Sequence, residues 1–567
     1  FDVAEHVLRD LWVENERGSW VNASFISDDT DWVVARATER SMASVARLMK
    51  AARRFAPLAL TPDLARKYYL LGIMTSLPAP SDGEARRELA DISTDLNSAY
   101  GKGKGCLDGD KECLDLQALS EIMASSRDYD RLLKAWKAWH QVARPMRAKY
   151  QRFVELANQG AQEIAFNDVG VLWRARYDMT PAQFEAEENR LWQQVRPLYE
   201  QLHCYVRRKL GATYGQDKVP GGKPIPAHLL GNMWAQDWSN IYPLVEAYAG
   251  EASLDVTAQL KAQSYDAVRM AKTGEAFFTS LGLRALPETF WSRSMLTKPP
   301  AREVVCHASA WDVDMRGDVR IKMCIDPTEE DLVTIHHELG HDYYFMAYDN
   351  LSPLLQQGAN DGFHEGIGDT LALSITPSYL KQLGLLDKVP DNPKAELNVL
   401  LKRALAKVAF LPFGMLIDQW RWEVFDGRIS ASDYNAGWWK LRTEYQGIAA
   451  PLARSEVDFD PGAKYHIPAN VPYARYFLAH ILQFQFHKAL CAAAGYSGPL
   501  HKCSIFGSKL AGAKLQAMLE LGASKPWPEA LEAVTGTRTM DASALLEYFA
   551  PLGEFLATQN AGQTCGW

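Results

Sequence analysis

The sequence predicts a mainly α-helical protein in which two helical halves enclose a deep central groove, with one small β element. Apolar residues recur at intervals of three and four along 41–54, 191–210 and 400–417, as on helices that bury one face. Extended patterns are few, and the best of them covers 319–325. No repeat, low-complexity tract or linker divides the chain, so we expect one domain over 1–567.

Proline and glycine mark the limits of several elements. The long helix that follows Thr180 contains Pro197, which should kink it because proline has no N–H to donate. Glycine and proline concentrate at 101–109 and 219–226, and we interpret both segments as loops.

The composition is that of a protein with a large core and no general affinity for polyanions. Of 567 residues, 47% are hydrophobic, and the formal net charge of -8 disfavours nucleic acid as a partner. No apolar run is long enough to span a bilayer, so no membrane anchor is expected in this chain. The chain begins at Phe1 without a methionine or a signal-like leader, which is typical of a processed exported protein or a trimmed fragment.

Eight cysteines lie mostly as close neighbours, which indicates disulfides in an oxidising compartment. The short-range pairs are Cys106 with Cys113, Cys306 with Cys324, and Cys491 with Cys503. The remaining two, Cys204 and Cys565, either form a fourth bridge or stay as separate thiols. The alternative for the whole set is eight free, buried thiols in a cytosolic enzyme.

The segment His337-Glu338-Leu339-Gly340-His341 carries the strongest chemical signal in the chain. Residues at i and i+4 are separated by about 400° of helical rotation, so His337 and His341 leave the same helix face one turn apart. Two imidazoles can then bind one zinc ion, while Glu338 reaches the water at the open coordination position and accepts its proton. This combination is typical of peptide-bond hydrolysis.

A third ligand is predicted at Glu365, twenty-four residues after His341, which completes a His2Glu site. Asp369 follows Glu365 by four residues, so on a helix it projects from the same face and can hydrogen-bond a zinc-binding histidine. The alternative zinc class requires a third histidine six residues after the second. That class is excluded because position 347 is alanine.

The helix that carries the two histidines should begin about two turns before His337 and run to about 349–350. Its start offers a capping residue, a proline suited to the first turn and acids at the positive helix end, in the segment Asp326-Pro327-Thr328-Glu329-Glu330. The alternative is an ordinary buried helix with hydrogen-bonded histidines. Three polar side chains would be costly to bury without a compensating partner among their apolar neighbours Leu332, Val333, Ile335 and Leu339, which favours the metal site.

Beyond this site, the chain resembles the angiotensin-converting enzyme family, the zinc peptidases also described as peptidyl-dipeptidase A. The resemblance covers nearly the whole chain and is weak only over 1–100. It rests on long motifs: Ser125-Ser126-Arg127, Pro226-Ala227-His228-Leu229-Leu230-Gly231-Asn232-Met233-Trp234, Cys306-His307-Ala308-Ser309-Ala310-Trp311, His336-His337-Glu338, Gly358-Ala359-Asn360, Lys464-Tyr465-His466-Ile467-Pro468 and the final Gly566-Trp567.

The resemblance implies a single catalytic domain of this family over 1–567. It assigns Zn²⁺ to the three ligands already named and makes Glu338 first a base and then an acid. Tyr476, supported by His466, would stabilise the oxyanion that forms at the attacked carbonyl. Without the resemblance, core packing explains Tyr476 within its aromatic run, and His466 is an ordinary histidine.

The resemblance also implies the three short-range disulfides, but it supports no pairing of Cys204 with Cys565.

A second set of residues is implied for the C-terminal end of a substrate. A lysine ammonium with hydroxyl and amide donors suits a free carboxylate, and the resemblance supplies Lys464, Tyr473 and Gln236. It also gives His307 and the backbone of Ala308 the task of holding the penultimate peptide unit. By itself, Lys464 would be a solvated surface charge. Gln236 favours release of dipeptides, because a relative that removes single residues has arginine at this position.

Two chloride sites are implied as well, since buried arginines need counter-charges where no carboxylate is available. Arg174, Trp438 and Arg442 would form the first site. Tyr205 and Arg475 would form the second.

The sequence therefore predicts a secreted, extracellular or periplasmic zinc peptidyl-dipeptidase, in a soluble one-site form of bacterial or invertebrate type. Its partners would be oligopeptides with a free C-terminus. The rival interpretation is a catalytically silent family member that acts as a peptide-binding or receptor module. That rival predicts loss of Glu338, a zinc ligand or Tyr476, and none is lost. An endopeptidase or aminopeptidase is disfavoured by the carboxylate-binding set and by the lack of an acidic receptor for an N-terminus.

Overall fold

The computed structural model describes residues 1–107, 113–251 and 255–567, and it confirms the mainly α-helical class. The helices of the first part are α1 (Asp2–Ser24), α2 (Asp28–Ala52), α3 (Pro62–Gly72), α4 (Gly83–Gly101), α5 (Leu116–Ser125), α6 (Tyr129–Val142), α7 (Met146–Glu163), α8 (Val169–Arg174) and α9 (Pro181–Tyr214). The middle part contains α10 (Tyr242–Val245), α11 (Thr257–Ala262), α12 (Ala267–Ser280), α13 (Glu288–Arg293), α14 (Glu329–Tyr348), α15 (Asp361–Leu373) and α16 (Pro377–Gln382). The last part contains α17 (Pro393–Phe425), α18 (Tyr434–Gln446), α19 (Ala474–Ala493), α20 (Lys509–Leu519), α21 (Trp527–Thr535), α22 (Ser543–Tyr548) and α23 (Ala550–Gln559).

The strands are short and form two-stranded sheets. They are β1 (Gly105–Cys106), β2 (Cys113–Leu114), β3 (Ile225–Pro226), β4 (Ser309–Asp312), β5 (Val319–Lys322) and β6 (Ile448–Ala449). β1 pairs with β2 and β4 with β5 in antiparallel fashion, whereas β3 and β6 are parallel. The β4–β5 hairpin packs against α14, so the predicted β element does lie beside the helix with the paired histidines.

Three predicted helices exist but differ in extent from the predictions. The pattern at 41–54 belongs to the longer α2, and that at 400–417 to the longer α17. α9 begins after Thr180, whose hydroxyl accepts from the backbone of Gln183, and it continues through Pro197. Proline therefore removes one donor without ending the helix, because tertiary packing of the apolar face outweighs that loss.

Other boundaries need correction. The strand predicted at 319–325 ends at Lys322, because the backbone N–H groups of Met323 and Ile325 donate to the 295–296 segment instead of to β4. α14 is capped by Thr328 rather than Asp326, with the Thr328 hydroxyl 3.1 Å from the N–H of Asp331, and it ends at Tyr348.

Both predicted loops contain a two-residue strand. Ile225 pairs with Ile448, which places β3 inside 219–226, and β1 lies inside 101–109. The last two residues of the predicted loop 101–109, at 108–109, lie outside the described residues.

Disulfides connect all eight cysteines. The three predicted short-range pairs are confirmed. A fourth bridge joins Cys204 in α9 to Cys565, across a sequence separation of 361. Next to it, Arg207 donates to the backbone carbonyls of Thr564 and Gly566, and the Trp567 ring lies 4.6 Å from that of His203. The C-terminal segment is therefore fixed along α9.

One contiguous buried cluster extends from Leu70 to Leu556 and contains most of the apolar side chains of the described residues. A small separate cluster holds α1 and α2 to α3, with Leu8, Met49 and Leu71 at its centre. Within the described ranges, none of the helices has the length and apolarity that a bilayer crossing requires.

Candidate metal centre and active site

The two histidines of α14 and a carboxylate of α15 converge on one point. The Nε2 atoms of His337 and His341 are 3.2 Å apart, and Glu365 Oε2 lies 3.6 Å from His337 Nε2. All three ligand atoms lie within 4.8 Å of one another. Around a tetrahedral zinc with ligand distances near 2.1 Å, ligand atoms are separated by about 3.4 Å. The arrangement therefore fits a zinc ion with two histidine ligands and one carboxylate.

Small residues allow α15 to approach α14 this closely. A Cβ on Gly340 would lie 2.8 Å from the Cα of Gly368, and a Cβ on Gly368 would lie 2.8 Å from His337 Nδ1. On its other side α15 meets α19, where a Cβ on Gly362 would lie 2.8 Å from the Cβ of Leu478. Glycines at these crossings bring the Glu365 carboxylate within reach of the histidines.

Asp369 lies behind the first histidine, where the i+4 spacing from Glu365 placed it. Its Oδ1 is 3.2 Å from His337 Nδ1, and its Oδ2 accepts from Lys407 Nζ at 2.8 Å. Burial tends to raise the pKa of Asp369, but the Lys407 ammonium and the hydrogen bond to His337 together outweigh burial and hold that pKa well below its usual range. An ionised Asp369 fixes the His337 proton on Nδ1 and leaves Nε2 free for a metal.

Sequence reasoning missed two members of this network. His364 Nδ1 is 3.3 Å from His341 Nδ1, and its Nε2 is 3.0 Å from the Tyr348 hydroxyl. Lys407 comes from the distant helix α17, so no local spacing could connect it with Asp369. The only available signal for His364 was its position directly before Glu365.

Glu338 lines the same cavity as the histidines and is buried. Burial raises the pKa of its carboxyl above the usual value. A carboxylate with a raised pKa accepts a proton from water more readily than an exposed one does, which suits a general base.

The metal centre opens into a large cavity with a volume of about 1480 Å³. Its walls include residues of α1 and α2, the β4 strand, α14, α15 and α19. Every residue that the sequence assigned to catalysis or to the substrate lines it: Glu338, His466, Tyr476, Gln236, His307, Ala308, Lys464 and Tyr473. The structure thus brings together residues spread over more than two hundred positions of the chain.

Lys464 is a buried ammonium surrounded by aromatic rings. Its Nζ lies 4.3 Å from the centre of the Trp234 ring, 5.6 Å from that of Tyr473 and 5.8 Å from that of Phe413. No described carboxylate forms an ion pair with it, and burial lowers its pKa to about 7. Beside it, the Tyr473 hydroxyl is 3.4 Å from Gln236 Oε1. A buried cation that has no carboxylate partner among the described residues suits the binding of an anionic group.

His466 and Tyr476 lie next to Tyr473 in the same cavity. Their rings are 5.7 Å apart and nearly perpendicular, and His466 also contacts Tyr473 at 4.6 Å. Burial lowers the pKa of His466 to about 2, with the Lys464 and Arg421 charges acting in the same direction. The imidazole is therefore neutral and can donate one hydrogen bond into the cavity.

A buried lysine holds His307 and Ala308 at the start of β4. Lys322 Nζ donates to the carbonyls of Val305 and His307, at 2.7 and 2.6 Å. His307 Nδ1 donates to the Ala308 carbonyl at 2.8 Å. This edge of the hairpin faces the cavity with a fixed backbone conformation.

Comparison with known proteins gives the same assignment along the entire chain. Residues 1–567 match the family model described as angiotensin-converting enzyme. The chain belongs to the angiotensin-converting enzyme family. It is 48% identical over 502 residues to the angiotensin-converting enzyme of Rattus norvegicus, an alignment that covers 87% of this chain and 38% of the relative.

Two further relatives within this family are shorter. The angiotensin-converting enzyme of Theromyzon tessulatum is 46% identical over 472 residues, covering 82% of this chain and 76% of the relative. The angiotensin-converting enzyme-like protein Ace3 of Mus musculus is 46% identical over 482 residues, an alignment that covers 84% of this chain and 65% of the relative. The chain thus spans less than two fifths of the rat protein and a larger share of the other two.

Of the first anion site implied by the family resemblance, the structure brings two residues together. Arg442 lies 5.5 Å from the Trp438 ring, and both Arg442 Nε and Trp438 Nε1 are buried donors without a partner among the described residues. Burial lowers the pKa of Arg442 to about 9. The third residue, Arg174, instead forms an ion pair with Glu185 at 3.0 Å and lies over the Trp422 ring. Its charge is already compensated.

The second implied site is not assembled. The Tyr205 hydroxyl donates to the Val245 carbonyl at 2.8 Å, whereas Arg475 forms an ion pair with Asp361 at 3.1 Å. No hydrogen bond, ion pair or cation–π contact joins Tyr205 to Arg475 in the described part of the chain. Arg475 thus has a carboxylate partner from α15, and chloride at Tyr205 and Arg475 stays a prediction.

The glycine contacts at the metal centre generate the first prediction. Gly368→Ala should weaken zinc binding by at least tenfold, because its Cβ would meet His337 Nδ1 and displace the ring or the helix. Gly366→Ala is the matched control on the same helix, since its Cβ would meet nothing closer than 3.4 Å. Competition with a fluorescent zinc chelator measures both affinities. Equal affinities for the two variants would contradict the proposed contact.

Proposed function

We propose that the chain is a zinc-dependent peptidyl-dipeptidase that hydrolyses oligopeptides and releases dipeptides from their free C-terminus. The observation that carries this proposal is the buried, unpaired Lys464 in the same cavity as Glu338 and the metal ligands. An ammonium in this place gives the cavity one end that recognises a carboxylate. Mass spectrometry of the products from a short peptide library, with and without a zinc chelator, tests it.

Zinc, when bound by His337, His341 and Glu365, polarises the scissile carbonyl and lowers the pKa of the attacking water. Glu338 accepts a proton from that water and then donates it to the departing amine. Its raised pKa supports both tasks, because one carboxyl group must lose and regain a proton within a single turnover.

Negative charge that develops on the carbonyl oxygen needs donors that are already in place. Tyr476 supplies a hydroxyl at the edge of the cavity, and burial raises its pKa, so it remains protonated at neutral pH. His466 packs against Tyr476 as a neutral ring and supports it. These two residues would stabilise the tetrahedral intermediate.

The register of cleavage follows from the distance between the carboxylate receptor and the metal centre. Lys464, Tyr473 and Gln236 would hold the terminal carboxylate, and His307 with the Ala308 backbone would hold the penultimate peptide unit. A glutamine at position 236 leaves room for a second residue, which favours dipeptides over single amino acids.

The four disulfides support export to an oxidising compartment, either outside the cell or in a periplasm. The rival function, a catalytically silent peptide-binding module, gains no support from the site. Each residue that catalysis needs is present and faces the cavity.

We further propose one chloride site at Trp438 and Arg442. Trp438 Nε1 and Arg442 Nε are buried N–H donors without a partner, and the Arg442 guanidinium has no carboxylate partner among the described residues. This arrangement suits a small anion. Arg442 also donates to the Trp234 carbonyl at 2.7 Å, and Trp234 is the ring that covers Lys464. An anion there would act on substrate binding through Trp234.

The second prediction concerns the base. Glu338→Gln keeps the shape of the side chain but cannot accept a proton, so turnover should fall by roughly two to four powers of ten with zinc still bound. Glu365→Gln is the contrast, because it should lose zinc as well as activity. Metal content by atomic absorption, together with turnover, separates the two effects. A zinc-loaded Glu338→Gln variant that cleaves at the wild-type rate would falsify the proposed role.

The third prediction concerns the substrate terminus. Amidating a peptide removes the carboxylate partner of Lys464, a loss on the order of 1.5 to 3 kcal/mol, so cleavage should fall about tenfold or more. Lys464→Ala should erase most of the difference between acid and amide, and Gln236→Arg should weaken dipeptide release. Product mass and rate are measured for matched acid and amide peptides. Equal rates, or a ladder of single-residue losses from the wild type, would exclude the dipeptidase.

The fourth prediction concerns the anion. Peptide cleavage should rise when chloride replaces a bulky organic anion at constant ionic strength. Trp438→Phe keeps an aromatic ring but removes the N–H donor, so this variant should need about tenfold more chloride for half of the effect. Rates measured across a chloride titration give both midpoints. A flat titration for the wild type would remove this site from the mechanism.

A further inference from the structure

Asp361 forms a bridge between two arginines on the wall of the cavity. Its Oδ2 lies 3.1 Å from Arg475 Nη2, and its Oδ1 lies 3.6 Å from Arg176 Nη2. All three side chains line the cavity that contains the metal centre. The sequence suggested an exchangeable anion for Arg475, so the presence of a resident carboxylate is a new feature of this site.

The bridge connects three elements at positions next to reacting groups. Asp361 is the first residue of α15, one turn before the metal ligand Glu365. Arg475 is the second residue of α19 and directly precedes Tyr476. Arg176 lies in the short 3₁₀ helix before α9. The bridge therefore joins the turn that carries a zinc ligand to the turn that carries the oxyanion donor.

Packing at this point is tight. A Cβ on Gly362 would lie 2.8 Å from the Cβ of Leu478 and 3.4 Å from the Arg475 carbonyl. The first turns of α15 and α19 therefore approach each other closely at the Arg475 backbone, whereas the Arg475 side chain lines the cavity. The position of Arg475 depends on what holds its guanidinium.

The charges are unequal, with two guanidinium groups against one carboxylate. Burial alone would raise the pKa of Asp361, but Arg176 and then Arg475 outweigh burial and hold that pKa below its usual value. Burial alone would lower the pKa of Arg475, but the Asp361 carboxylate, with smaller contributions from Tyr177, Tyr476 and Glu365, keeps that pKa above its usual value. Without the carboxylate, two partly buried cations would face each other across a gap.

We propose that Asp361 is a positioning residue for catalysis: a resident anion that fixes Arg475 between α15 and α19 and thereby holds Tyr476 at the oxyanion. This inference rests on the proposed function, because it gives Tyr476 that task. It assigns to a side chain of this protein the role that a bound anion could otherwise fill. The enzyme would then need no exchangeable anion at Arg475.

The chemistry of the bridge suggests a rescue experiment. Asp361→Ala removes the carboxylate and leaves a gap of similar size between two guanidinium groups, which formate can enter. Asp361→Asn removes the charge but keeps the shape, so it leaves no gap. A residue that only maintains the fold would show no such difference between the two variants.

The wild type and both variants are assayed in chloride-free buffer at constant ionic strength, and formate replaces a bulky organic anion. Without formate, kcat of Asp361→Ala should fall about tenfold relative to the wild type, with KM nearly unchanged, because a displaced oxyanion donor affects mainly the transition state. Formate should restore at least half of the lost kcat. Asp361→Asn should lose a similar factor and gain nothing. Each rate is divided by the wild-type rate at the same formate concentration. This division removes any change in rate that formate causes by binding at Arg442, because the wild type and the variants share that site.

A second readout needs no catalysis. Formate should raise the melting temperature of Asp361→Ala but not that of the wild type, and the double variant Asp361→Ala/Arg475→Gln should lose this response. The inference is overturned if Asp361→Ala keeps full kcat without formate, or if formate changes neither kcat nor the melting temperature. If the wild type cleaves no peptide, the proposed function fails, whereas the melting experiment still decides whether an anion occupies this place.

Discussion

The active site depends on the close contact between α14 and α15 at Gly340 and Gly368. A zinc ligand set requires its donor atoms within a few ångströms, and only helices without side chains at the crossing can bring their backbones that near. The same helix α15 contacts α19 on its other side at Gly362. α15 therefore carries the carboxylate of the metal centre and packs against both α14 and α19.

Buried cations in this protein serve two different purposes, and their partners show which. Arg174 and Arg475 have carboxylate partners in Glu185 and Asp361, so they form part of the fixed framework. Lys464 has aromatic neighbours but no described carboxylate partner, so its desolvation remains uncompensated until an anion arrives. The distinction depends on which atoms lie nearby and not on the residue type.

Sequence reasoning was most successful where the chemistry is local. The i and i+4 spacings were enough to put His337 and His341 on one face of α14, and Glu365 and Asp369 on one face of α15, because helix geometry fixes those relations. The meeting of the two faces depends on the crossing of the helices, which the spacings do not determine. Lys407, the Tyr348–His364 contact and the Cys204–Cys565 bridge join distant segments, for which no periodicity exists. The pairing of Arg475 with the carboxylate at position 361 was missed for the same reason, since the two residues meet only in three dimensions.

Burial moves the two functional groups of the cavity in the same direction, towards neutrality. It raises the pKa of the Glu338 carboxyl and lowers that of the Lys464 ammonium to about 7. A substrate carboxylate reverses the second effect, because the ion pair favours the charged lysine. Under the proposed function, the proton that Lys464 would take up on binding is part of the recognition energy, whereas the proton that Glu338 would take up belongs to the chemical step. Recognition and catalysis share one low-dielectric cavity, and the same desolvation supports both.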